Sequence, residues 1–147
     1  MMDTGYVQLD VPHGWETIQQ DGATIIAAPA AYDGFRPNLS ISTEPATAAS
    51  VAGEATHAVA ASLAMLERVH VISYDIWPFP GGEGRRIEYS HEMEGMNLHA
   101  QHWLLLGNGF LTRFTATCRT TQLPACDPVF DNILRSVVPA GAQRNDA

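Results

Sequence analysis

The chain has 147 residues, 46% of them hydrophobic and 16% charged, which is the composition of one folded domain rather than of a disordered segment. Its net charge is −8, and every basic residue is arginine. An acidic chain is repelled by nucleic acid and by anionic lipid, and the missing lysine excludes Schiff-base and phosphate-loop lysines.

Alternation in 6–11 predicts a first short strand, broken by Pro12-His13-Gly14-Trp15. Gly22 precedes a second strand over 23–28, stopped by Pro29, and Arg36-Pro37-Asn38 leads into a third over 38–43. Between 50 and 69 the period becomes helical. Ser50 is placed to cap, Val51, Ala55, Val59, Leu63 and Leu66 form an apolar stripe, and Glu54, His57 and Arg68 point to solvent. Strand character returns over 70–79, followed by three long strands over 85–94, 98–106 and 110–118. Their connections, Gly95-Met96 and Gly107-Asn108-Gly109, have hairpin chemistry. Asp127-Pro128 opens a last helix, in which Phe130, Ile133, Leu134 and Val137 repeat at helical spacing until Pro139. The expected class is α+β: a mainly antiparallel sheet of about six to seven strands with two helices packed on it. One domain spans 1–139, and 140–147 is a loose tail.

The hairpins sort side chains between faces. A two-residue turn at Gly95-Met96 sets Glu88 opposite Trp103, and a three-residue loop at 107–109 sets Trp103 opposite Arg113. Ile87, Tyr89, Leu104 and Phe114 then lie on a core face. Glu88, His99, Trp103 and Arg113 lie on a polar face that reads either as a solvated ladder or as the floor of a binding surface. A slip by one residue at Asn108-Gly109 would exchange the faces of Arg113 and Phe114.

Motifs for chemistry are weak. His91 and His102 share one face while Glu92 and His99 share the other, so these four do not converge on a metal, and Glu92–His99 reads as a surface pair. Asp3-Thr4-Gly5 has no preceding strand and no second copy. Gly81-Gly82-Glu83-Gly84 leads into a strand, where phosphate loops lead into a helix, so it reads as a turn. Cys118 and Cys126 read as buried thiols, with a disulfide across the short loop as the alternative. Arg36 could take a carboxylate or phosphate. In the plainer reading Pro37 holds Arg36 extended and Asn38 bonds its own turn. The start, MMDTGYVQLDVPHGW, has neither a basic nor an apolar leader region, and no run is long enough to span a membrane. The expectation is a cytoplasmic chain without membrane insertion.

Pro12-His13-Gly14-Trp15 resembles the opening of PsbP-like domains, and Arg36-Pro37-Asn38-Leu39 resembles a stretch of the actinobacterial LpqN-type members of that superfamily. The Gly82-Glu83-Gly84-Arg85-Arg86 turn and the final Ile133-Leu134-Arg135-Ser136-Val137 fit in order, so the resemblance covers about residues 6–139. It implies an antiparallel sheet with helices on it and a binding or accessory role, as in photosystem assembly subunits, secretion chaperones and lipoproteins. It carries over no catalytic residue. Together these readings predict a non-enzymatic module, without cofactor or metal, that docks a protein or peptide on its sheet face or loops. The binding candidates are Arg36, Asn38, Glu88, His99, Trp103 and Arg113. The alternative is a small-ligand carrier or enzyme with a pocket between helix and sheet.

Overall fold

The computed structural model describes residues 1–31, 33–47 and 50–140, with the Ser62 side chain excepted. In chain order the elements are β1 (Met2–Asp3), β2 (Val7–Leu9), β3 (Glu16–Gln20), β4 (Ala23–Ala27), β5 (Asn38–Pro45), α1 (Val51–Met65), β6 (Glu67–Ile76), β7 (Glu83–Met93), β8 (Met96–Gly107), β9 (Phe110–Arg119), α2 (Leu123–Arg135) and β10 (Val138–Pro139). Seven strands form one sheet in the order β3-β4-β5-β9-β8-β7-β6, and β1-β2-β10 form a small second sheet. Every pairing is antiparallel. The α+β expectation holds; the small sheet, built from both chain ends, and the polar strand β3 were not anticipated.

Three two-residue turns set the register: Asp21-Gly22, Glu94-Gly95 and Asn108-Gly109, each with both residues at positive φ. That is the hairpin turn whose twist matches the flanking strands. Two expectations change in consequence. Placing the β7–β8 turn at Glu94-Gly95 moves the pairing by two residues, which keeps every face but sets Arg86, not Glu88, opposite Trp103. Shortening the β8–β9 turn to two residues moves the pairing by one, and Phe114, not Arg113, faces Trp103.

Both faces of the large sheet carry a core. On one face α2 and β2 pack with Leu9, Ile26, Leu39, Trp103, Phe114 and Phe130. On the other, α1 packs through Val51 and Ala55 against Ile87, Tyr89, Leu104 and Leu111. Each fully buried Leu or Phe contributes about 1.5–3 kcal/mol, so the α2 side, with more and larger side chains, is the dominant core. The Gly81-Gly82-Glu83-Gly84 turn is a packing device: a Cβ at Gly82 would meet Leu105 Cδ1 at 2.6 Å, and one at Gly81 would meet Pro139 Cγ at 2.7 Å.

The helices deviate from their sequence patterns in specific places. Ser50 Oγ accepts from the Gly53 N–H at 3.3 Å, as a cap does. The first helix stops at Met65 rather than 69, because Arg68 takes positive φ and Val69, Val71 and Ile72 favour a strand. Leu63 is exposed, whereas Glu54 is buried, the reverse of the expected stripe. The second helix begins at Leu123 with Pro124 in its first turn, so Pro128 lies inside it rather than at its start. Of the expected loose tail, 140–147, Ala140 is instead tied down by donating to the Tyr6 carbonyl at 2.9 Å, and 141–147 lie outside the described residues. No described helix is long and apolar enough to cross a membrane.

Candidate functional site

The six candidate residues do not form one surface. Glu88, His99 and Trp103 lie on the α2 side, and they are covered. Trp103 is 1% exposed, edge-on to Trp77 at 5.9 Å, with the Arg86 guanidinium 5.8 Å from its ring centroid. The expected Glu88–Trp103–Arg113 row is therefore Arg86–Trp103–Phe114, and Trp103 belongs to the core rather than to a binding floor.

Glu88 and His99 instead belong to a largely buried polar network. Glu88 Oε2 lies 2.7 Å from His99 Nε2 and 3.3 Å from an Arg86 nitrogen, while Ser73 donates to Glu88 Oε1 at 3.1 Å. Arg86 also donates to Gln101 Oε1 at 2.8 Å, and Gln101 donates to Asp127 of α2 at 3.0 Å. A covered charge is tolerated when it is paired and hydrogen-bonded. These bonds explain how a strand face patterned as polar can lie under a helix. The expected Glu92–His99 pair does not form; Glu92 pairs with Arg68 at 3.3 Å on the surface. His99 sits opposite Cys118 in register, but burial, helped by Cys126 and Asp127, pushes the Cys118 thiol up to about 12. A thiol held protonated is a poor nucleophile. Neither cysteine is in a disulfide, and both are buried.

On the α1 side, the helix lies over β7 and β8 and touches β6 more lightly. Beyond it, the half of the face on β9, β5, β4 and β3 is mostly only partly buried, with Ala27 and Leu111 fully buried. His102, Thr115, Ser40, Ile25 and Ile18 form one row across five strands. Thr117, Asn38 and Ala27 form the next row. Hydroxyls and short apolar groups dominate this area. His102 lies 2.8 Å from the Tyr89 hydroxyl through Nε2, and burial, with Arg113 and His91 nearby, pushes its pKa down to about 4. His102 is therefore neutral at pH 7.

Two arginines border the hydroxyl rows, and both are engaged. Arg113 pairs with Glu44 at 2.9 Å and with Glu54 at 3.8 Å. Arg36 donates to the Ala28 carbonyl at 2.7 Å and to Glu16 at 2.8 Å, tying the ends of β3 and β4 together. Asn38 donates to the Arg36 carbonyl at 3.0 Å, the self-bonded turn expected before a strand. Arg36-Pro37-Asn38 thus has a complete structural role.

His91 and His102 fall on one face, Glu92 and His99 on the other, and no three His, Cys, Asp or Glu side chains among the described residues are placed to hold a metal. Arg85 and Arg86 turn to the Gly84 carbonyl and to Gln101 rather than to an anion cradle. A cleft of about 290 Å³ lies between the small sheet and the β8–β9 turn, and another of about 250 Å³ lies between the end of α1 and the end of β7. Gly5, Gly81 and Gly107 line the first, with Tyr6 and Phe110 in ring contact at 5.0 Å.

No protein-family model and no curated protein matches this sequence. Solved structures do match it in fold. PA94 from Pseudomonas aeruginosa, described as a putative regulator, superposes with a TM-score of 0.72 at 17% identity, over 92% of this chain and 98% of its own. LpqN of Mycobacterium tuberculosis, described as involved in cell envelope biogenesis, gives 0.75 at 13% identity, over 90% and 82%. The cyanobacterial PsbP of Synechocystis sp. PCC 6803 gives 0.62 at 15% identity, over 91% and 92%. Two helices on a mostly antiparallel sheet, in the same arrangement over nine-tenths of the chain, make this a PsbP-like α+β fold.

Proposed function

We propose that the chain is a non-enzymatic accessory module that docks a protein or peptide on the partly buried half of its large sheet's α1 side, beyond α1. One observation carries the reading. The rows through Thr115, Ser40, Thr117 and Asn38 present hydroxyl and amide groups with no unmatched charge, while Arg113 and Arg36 at the border are held in ion pairs. Such a surface offers hydrogen bonds without the desolvation cost of a free charge, and the Ile18 and Ile25 side chains add apolar contact. An accessory role is compatible with the descriptions of PA94 as a putative regulator and of LpqN as acting in envelope biogenesis. An enzyme reading has less support. The His99–Glu88 pair is covered, its Cys118 neighbour is held as a thiol, and the Tyr89–His102 pair packs beside α1.

The test is affinity capture with the wild-type domain beside a Ser40→Glu/Thr115→Glu variant of unchanged thermal stability. A partner retained by the wild type and lost by the variant supports this face. The same partner on both removes the face from consideration and moves the search to the Arg36 loop.

A further inference from the structure

At the other end of the sheet, β6 is an edge strand of ten residues. Edge strands normally carry charge or irregularity that discourages pairing. This one is irregular, with two breaks in its pairing to β7, yet it also exposes Val71, Ile72, Tyr74 and Ile76, the last at 74%. Its pairing with β7 slips first between Glu67 and His70 and again between Val71 and Ser73, where the slip leaves Ile72 as an extra residue. The second slip reverses the alternation within the strand. Before it, Val71 lies opposite Tyr89 and His70 opposite Ser90; after it, Tyr74 lies opposite Ile87 and Asp75 opposite Arg86. Val71, Tyr74 and Ile76 therefore share the α1 side, and His70, Ser73 and Asp75 share the α2 side.

This placement has a symmetry consequence. When a strand pairs antiparallel with its own copy about a two-fold axis, opposed residues must lie on the same side of the joint sheet. With the axis between Ile72 and Ser73, Val71 opposes Tyr74 of the copy, both on the α1 side. His70 opposes Asp75 of the copy, both on the α2 side, and Val69, which packs in the α1-side core, opposes Ile76. A register shifted by one would set Val71 against Ser73 and His70 against Tyr74, with opposed residues on opposite sides. The bulge that would spoil pairing with a regular foreign strand sits at the centre of a self-complementary one. Polarity agrees, since each imidazole meets the Asp75 carboxylate, which Arg86 already pairs at 3.4 Å, and no like charges are opposed.

We propose that β6 is a self-association edge, through which two copies join their seven-stranded sheets into one of fourteen. The occupant is a second copy of this chain. The proposal is independent of the docking face, which lies on strands at the opposite end of the sheet.

Sedimentation velocity over a wide concentration range, on the wild type and on a Tyr74→Lys/Ile76→Lys variant, tests it. Both positions are exposed, so the fold tolerates the change. The wild type is expected to dimerise, and the edge lysines should raise the dissociation constant about tenfold or more. A Val71→Cys/Tyr74→Cys variant should then form a covalent dimer under mild oxidation, whereas a His70→Cys/Tyr74→Cys variant, out of register, should not. A wild type that stays monomeric up to millimolar concentration overturns the proposal. So does a dimer unaffected by the lysines, or equal cross-linking of the two cysteine pairs.

Discussion

The Tyr89 hydroxyl reaches His102 Nε2 at 2.8 Å, although the residue opposite Tyr89 in register is Ala100. The contact is diagonal, between long side chains on one face of neighbouring strands. It fixes a neutral imidazole beside α1, and stability should depend on pH as a result. The folded-state pKa of His102 is about 4 against an ordinary 6.5, so the unfolded chain binds the proton more readily. The contribution is fully present above pH 6.5 and is lost as pH falls from there toward 4, by about 3 kcal/mol at most. Urea unfolding at pH 7 and pH 4.5 should show this loss, and His102→Asn should remove much of the slope. A wild-type slope unchanged by the substitution would place the acid sensitivity elsewhere.

Trp103 is a core residue, so its removal should act on stability. Its side chain is 1% exposed, and its indole Nε1 has no hydrogen-bond partner among the described residues. Trp103→Ala should cost about 3–5 kcal/mol through the cavity it leaves. Trp103→Phe loses volume but no hydrogen bond, so it should cost clearly less. Chemical denaturation of the two variants checks the order; near-equal stability of Trp103→Ala and wild type would contradict the buried placement.

Alternation and turn chemistry are local properties, and they made β5 through β9, the two helices and the α+β class legible in the sequence. What they could not give was register. Gly95-Met96 and Glu94-Gly95 are both acceptable turns, and only the longer ladder selects the second. Asn108-Gly109 allowed two loop lengths, and the choice moved Arg113 and Phe114 to opposite faces. Coverage was also hidden. Glu88, His99 and Gln101 pattern as a wet face because the groups that neutralise them, Arg86 and Asp127, arrive from a neighbouring position and from a distant helix. The small sheet joins Gln8 to Val138, a pairing that no local period announces. Of the candidate residues, Asn38 lies on the α1-side face proposed for docking and Arg113 and Arg36 at its border, where their signal was a strand opening and its flanking charges.

Glu88 gives a direct test of the covered network. Glu88→Ala would strip Arg86 and His99 of their shared carboxylate while both stay largely buried. The expected cost is about 2–4 kcal/mol. Glu92→Ala, which breaks only the exposed Arg68 pair, should cost less than about 0.5 kcal/mol. Equal costs in thermal or urea unfolding would mean that the network is as well solvated as the surface pair.

Cys118 should be chemically quiet. Its thiol sits at about 12 with 1% exposure, so almost no thiolate exists at pH 8. Alkylation by iodoacetamide in the native protein should be far slower than in urea, and it should track global unfolding. Fast native labelling at Cys118 would reopen the nucleophile reading of the His99–Cys118 neighbourhood.

Gly84 separates a packing turn from an anion loop. A Cβ there would overlap the Trp77 carbonyl oxygen and come within 2.5 Å of the Phe79 ring. Trp77 cannot easily retreat, because its N–H is bonded to the Gly84 carbonyl at 3.0 Å. Gly84→Ala should therefore cost several kcal/mol, by forced displacement of β7 from the chain before it. At Gly95 nothing lies within 4 Å of an added Cβ, and only its φ of +78° resists, so Gly95→Ala should cost about 1 kcal/mol. A large drop in unfolding midpoint for the first and a small one for the second is the expected result. A stable Gly84→Ala protein would show that the close approach of Trp77 is not required, and that the glycine serves something other than packing.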